Sequence, residues 1–133
     1  MGPAPSSPLP TGARLCVAFF ALSGAFELVL PIATEDGAGL TWTATGQALL
    51  HGLLAVGLWR RLVLCRVIAM VYCLAALVTY GVVLGLALAQ APVRFPTSVV
   101  VMSLLQVPSC AVLLPWLRGG EALRVFSRPG VGG

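Results

Sequence analysis

Glu27, Gln47, His51, Tyr80 and Gln106 are the side chains of this 133-residue chain whose types and spacing could do chemistry, because each interrupts a long apolar stretch. Glu27 is the one acid within such a stretch. An ionisable group at bilayer depth costs roughly 2.5–3.5 kcal/mol on insertion scales, so it is paired, neutral or functional there. The helical rise puts Glu27 about 9 Å from the outer end of its helix, with Gln47 and His51 about 6 and 12 Å in along the next. Tyr80 and Gln106 fall at about 14 Å from the same surface. The five residues form a predicted polar layer in the outer half of a helical bundle. As a working site, this layer is a proton-accepting site or a small-cation pocket in which the Glu27 carboxylate exchanges a proton for a ligand. As structure, the same groups hydrogen-bond from helix to helix, at about 0.6 kcal/mol apiece.

Other chemistries find little support. His51 is the only histidine. It could serve as an axial haem ligand only beside a partner as weak as Met70 or Met102, so no cofactor is expected. Together with Tyr80 it could instead line a lipid or quinone groove. Cys16, Cys65, Cys73 and Cys110 stand singly, without a Cys-x-x-Cys pair. That spacing argues against zinc, a dithiol redox pair or a disulfide framework, and no metal site is expected. No Gly-x-Ser-x-Gly turn, P-loop or dinucleotide fingerprint is present, so the chain reads as a non-enzyme.

The elements that must position these residues follow from composition. Apolar residues make up 59% of the chain and charged ones 9%, with a mean hydropathy of +0.99, far from the averages of soluble domains. Four spans are predicted, at Leu15 to Ala33, Gln47 to Trp59, Val67 to Ala89 and Thr97 to Leu117, giving an all-α four-helix transmembrane bundle of two hairpins. Residues 1–13 read as a disordered cytosolic tail, 14–118 as the membrane domain and 119–133 as a second cytosolic tail with one amphipathic turn near Glu121 to Phe126. Thr34 to Thr41 reads as an exposed outer loop. Trp42 marks an interface, Thr43 or Thr45 caps the second helix, and Pro108 and Pro115 kink the fourth.

Orientation comes from the arginines. The basic residues are all arginine, and Arg14, Arg60, Arg61, Arg66, Arg118, Arg124 and Arg128 fall on one side against Arg94 on the other. This bias puts both termini in the cytosol, with Arg60, Arg61, Arg66 and Arg118 at the cytosolic interface. The net charge of +4 is thereby assigned to membrane orientation rather than to nucleic acid. Gly81, Gly85 and Ala89 make a small-xxx-small face on the third helix, suited to close packing within the chain or against a partner.

Gly57-Leu-Trp-Arg-Arg61 ending the second helix, Arg66 opening the third, a loop-proline start to the fourth and the Leu113 to Phe126 ending together resemble the DUF2127-type families, small bacterial four-helix membrane proteins. That resemblance implies fold and topology, and supplies no catalytic residues. The acid in Ala25-Phe-Glu27-Leu-Val is similar to that of the small multidrug-resistance transporters, although the arginine bias departs from their weak or dual orientation. Two functions are therefore weighed. One is a non-enzymatic multi-pass protein of a bacterial inner membrane or its equivalent, accessory to other membrane proteins or forming a homo-oligomer within the lipid bilayer. The other is a small proton-coupled transporter titrating at Glu27.

Overall fold

A computed structural model describes residues 8–33 and 42–126, and its architecture is all-helical among them. The helices are α1 (Thr11–Ala33), α2 (Trp42–Trp59), α3 (Val63–Leu88), α4 (Thr97–Arg118) and α5 (Gly120–Phe126). The predicted outer loop at Thr34 to Thr41, the first seven residues of the tail, and the C-terminal stretch beyond Phe126 with Arg128 lie outside the described residues.

The long helices pack in cyclic order. α1 lies on α2, α3 lies on α4, and the two pairs meet through α2 with α3 and α1 with α4. Each helix buries one stripe at the three- and four-residue spacing of a helical face: Ala13, Cys16, Phe20 and Ser23 on α1, and His51, Leu54, Ala55 and Leu58 on α2. Arg66, Ala69, Cys73 and Ala76 form the stripe of α3, and Met102, Ser103, Gln106, Cys110, Leu113 and Leu117 that of α4. Small and polar types dominate these stripes. Many large aliphatics point outward, among them Leu22, Val29, Leu53, Leu74, Val78 and Val112, while Leu54, Leu58, Leu113 and Leu117 stay inside. A soluble domain exposes fewer large aliphatics, and the distribution is compatible with a membrane protein.

Three helices are long and apolar enough to cross a membrane, namely α1 over Thr11–Leu30, α3 and α4. The second expected span differs. α2 runs 18 residues, about 27 Å at the helical rise, and is not among these three; Thr45, Gln47 and His51 interrupt its apolar sequence.

Three boundaries depart from the expected ones. α2 starts at Trp42, so Thr43 and Thr45 lie inside the helix they were expected to cap. α1 starts at Thr11, with Ala13 fully buried, so the last residues of the expected tail belong to the packed domain. α3 starts at Val63, so the turn is confined to Arg60 and Arg61, and Arg66 lies inside the helix, 8% exposed. The turn closes α2 by a Schellman arrangement: the Leu62 amide donates to the Gly57 carbonyl at 2.9 Å and the Arg61 amide to the Leu58 carbonyl at 3.0 Å. Arg61 takes the left-handed conformation this requires, at φ 60°. Close approach at Gly57, where any Cβ would strike the Cys65 sulfur, sets α3 tightly beside the end of α2.

Candidate functional site

The predicted layer resolves into three separate arrangements. At its centre, the Gln106 amide joins three helices: Nε2 donates to Ser23 Oγ on α1 at 3.1 Å, and Oε1 accepts from Tyr72 Oη on α3 at 3.1 Å. The Cys110 thiol, one turn along α4, also donates to Gln106 Oε1, at 3.8 Å. Ser23 and Gln106 are fully buried. A glutamine suits this post because its amide offers donors and an acceptor on one flat group.

Glu27 and Gln47 make the second arrangement, on the seam between α1 and α2. With its nitrogen turned to the carboxylate, the Gln47 amide donates to Glu27 Oε1 at 2.9 Å and Oε2 at 3.2 Å. Tyr80 lies partly buried in the electrostatic neighbourhood of this carboxyl, and no hydrogen bond among the described residues ties it to Gln106. Tyr72 takes that role in place of Tyr80.

His51 makes the third. It is fully buried yet does not reach Glu27, and apart from a loose approach to the Gln47 carbonyl, neither ring nitrogen has a partner of hydrogen-bonding geometry. Aromatic rings surround it, Tyr72 edge-on at a centroid distance of 4.9 Å and Phe20 at 5.9 Å. Gly24 permits this seating, because a Cβ there would stand 3.2 Å from the His51 Cβ and 3.3 Å from the Ala48 carbonyl oxygen. An unpartnered buried polar group costs roughly 1–3 kcal/mol, and His51 carries that cost with both ring nitrogens.

Tyr72, Ser23 and Cys110 are the members that reasoning from the sequence missed. Ser23 sits one helical turn before Glu27, and that i, i+4 spacing is the signal that could have found it. Tyr72 was hidden by the length of α3, whose level could not be read by counting inward from its outer end.

The arginines divide as well. Arg66 Nε donates to the Leu117 carbonyl at 2.8 Å, so this buried guanidinium holds a carbonyl that the end of α4 leaves without a helical partner. It is a cross-tie, where a free cytosolic charge was expected. Arg60 and Arg118 are exposed and Arg61 half-buried at the same end of the molecule. Gly81 and Gly85 face open space, with nothing among the described residues within 4 Å of a built Cβ, and Ala89 is exposed. The close packing of this face inside the chain, one of the two expectations for it, is therefore not what holds α3 in place. No group of three or more metal-ligating side chains that could hold an ion occurs among the described residues.

No protein-family profile, curated protein or solved structure matches the chain.

Proposed function

We propose that the chain is a multi-pass integral membrane protein in which all four long helices span, both termini are cytosolic, and the role is non-enzymatic, that of an accessory or structural subunit packing against other membrane proteins. The observation that carries this reading is the distribution of side chains, with glutamine, serine, histidine and cysteine inside and many leucines and valines outside. It supports α2 as the fourth span too, because His51 points inward while Leu49, Leu50, Leu53 and Val56 form the outer face. Pairing within the layer supports the structural role. Gln106 engages Ser23 and Tyr72, and Glu27 engages Gln47, as interhelical ties do.

Cysteine labelling at Gly37 and Gly130 tests the topology, which fails if Gly130 is labelled from outside. Purification from native membrane in mild detergent tests the role. A stable larger complex is expected, and a lone homodimer favours the transporter.

One observation favours the second reading, a proton-coupled transporter titrating at Glu27. His51 holds a costly unpartnered imidazole one turn along α2 from Gln47 of the Glu27–Gln47 pair, and a buried group that destabilises the fold is retained most readily for function. Two substitutions separate the readings. Glu27→Gln keeps shape and hydrogen-bonding capacity while removing titration, so a structural role leaves folding and any cellular phenotype intact. Under the same role, His51→Leu raises stability by about 1–3 kcal/mol without loss of function. Loss of a proton-coupled flux in a well-folded Glu27→Gln protein decides for transport.

A further inference from the structure

Three of the four cysteines, Cys16 on α1, Cys73 on α3 and Cys110 on α4, are fully buried and share one core cluster. Packing brings two of them together. Gln106 Oε1 accepts from both the Tyr72 hydroxyl and the Cys110 thiol, and Cys73 is the residue that follows Tyr72 along α3. The Cys73 and Cys110 thiols lie within hydrogen-bonding reach of each other across the seam between α3 and α4, and Cys16 is near enough to interact electrostatically with Cys73. All three are free thiols. At the helical rise Cys73 is about 15 Å from the start of α3, deep within the bundle.

Two facing sulfurs are a ligand set for soft metal cations, which select thiolate over oxygen. A closed-shell cation such as Cu(I) or Hg(II) is satisfied by two sulfurs in line. Zinc is not, since its structural sites take four ligands in a tetrahedron, and among the described residues no group of three or more His, Cys, Asp or Glu side chains could hold an ion. Charge points the same way, because a buried complex is tolerated best when it is neutral. Two thiols that give up both protons to Hg(II), or one proton to Cu(I), leave a neutral complex, and no electron is transferred.

We propose that Cys73 and Cys110 bind one soft, closed-shell metal cation in line between their sulfurs, tying α3 to α4. The site is independent of whether the chain serves as an accessory subunit or as a transporter.

The test uses the full-length protein in mild detergent without oxygen, offered Cu(I) from its bathocuproine complex, Hg(II) from its glutathione complex, or Zn(II). One soft cation per chain should survive desalting, whereas Zn(II) should not. Retention of Cu(I) or Hg(II) alone identifies the cation, and if both are retained, direct competition between them ranks the two. X-ray absorption of the loaded wild-type protein should show two sulfur neighbours, a measurement that needs no variant to fold. Cys73→Ser and Cys110→Ser should each lower affinity more than about 100-fold, since even the outer partners of a metal ligand are worth roughly 10–100-fold. Cys65→Ser, at the half-buried turn, should leave affinity unchanged. Retention of neither soft cation, a first shell of nitrogen or oxygen, an equal loss in Cys65→Ser, or wild-type affinity in both other serine variants overturns the proposal.

Discussion

The two ends of the molecule are built differently. At the arginine end, Trp116 packs directly over Gly12, the Cys65 sulfur sits over Gly57, and Arg66 reaches across to the Leu117 carbonyl. α5 closes the same end, with Ala122 and Phe126 buried, the Trp116 and Phe126 rings edge to face, and the Trp116 indole donating to Glu121 at 3.2 Å. The far end is packed less deeply along α3. Every buried residue of α3 falls between Arg66 and Ala76, away from its far end.

Register accounts for the contrast. Tyr72 and Gln106 are level, since they hydrogen-bond, and sixteen residues of α3 follow Tyr72 to Leu88 while nine of α4 separate Gln106 from Thr97. At the helical rise, α3 therefore overhangs the start of α4 by about 10 Å. One end of this fold is locked by side chains. At the other, no described residue comes within 4 Å of a Cβ built at Gly81 or Gly85 of α3.

Arg66→Met should break the comparison most severely, because it removes a bond from a charged donor to a buried carbonyl, worth roughly 1.5–3 kcal/mol. Thermal unfolding in detergent should show the loss, and Gly12→Leu, which drives a side chain into the Trp116 ring, should show a comparable one. If both variants unfold at the wild-type temperature, the arginine end is not what holds the fold.

Much of the architecture was legible in the sequence, and the reason lies in particular residues. The aliphatic runs, a turn among the arginines that follow Trp59 and the fourth helix at Thr97 follow from hydropathy and proline placement alone. What hydropathy cannot supply is the register of one helix against the next. Tyr80 looked level with Gln106 by counting inward from the outer ends, but the overhang of α3 shifts that count by two turns and brings Tyr72 there instead. Arg66 escaped for a related reason. An arginine beside an apolar run reads as a cytosolic anchor, and only the packed end of α4 reveals the carbonyl it meets. Depth counting brought Gln47 and His51 alike within reach of Glu27, and only the packed hairpin distinguishes them, with Gln47 at the carboxylate and His51 turned among the rings.

A smaller effect is expected at the far turn. α3 ends in a second Schellman arrangement, the Ala91 amide donating to the Leu86 carbonyl at 3.1 Å and the Gln90 amide to the Ala87 carbonyl at 3.2 Å, with Gln90 left-handed at φ 54°. Glycine takes this conformation without the strain a Cβ brings, against its greater freedom in the unfolded chain. Gln90→Gly should therefore raise stability by about 0.5–1 kcal/mol, read as a rise in unfolding temperature. A fall would mean that the glutamine side chain contributes more there than the strain costs.

The smallest effect should come from the overhang itself, and it sharpens the contrast between the ends. Gly85 has nothing within 4 Å of a built Cβ among the described residues, so Gly85→Leu adds a side chain to open space. Within a single copy the change should shift stability by less than about 0.5 kcal/mol, as surface substitutions do. The same leucine has a different consequence if the Gly81, Gly85 and Ala89 face meets another helix in the membrane, because a small-residue contact depends on close backbone approach. Unfolding in detergent and complex size in native membrane extracts should then part company, the first unchanged and the second reduced. An unchanged complex would place this face against lipid, whereas a loss of stability in the isolated protein would show that the far end is packed after all.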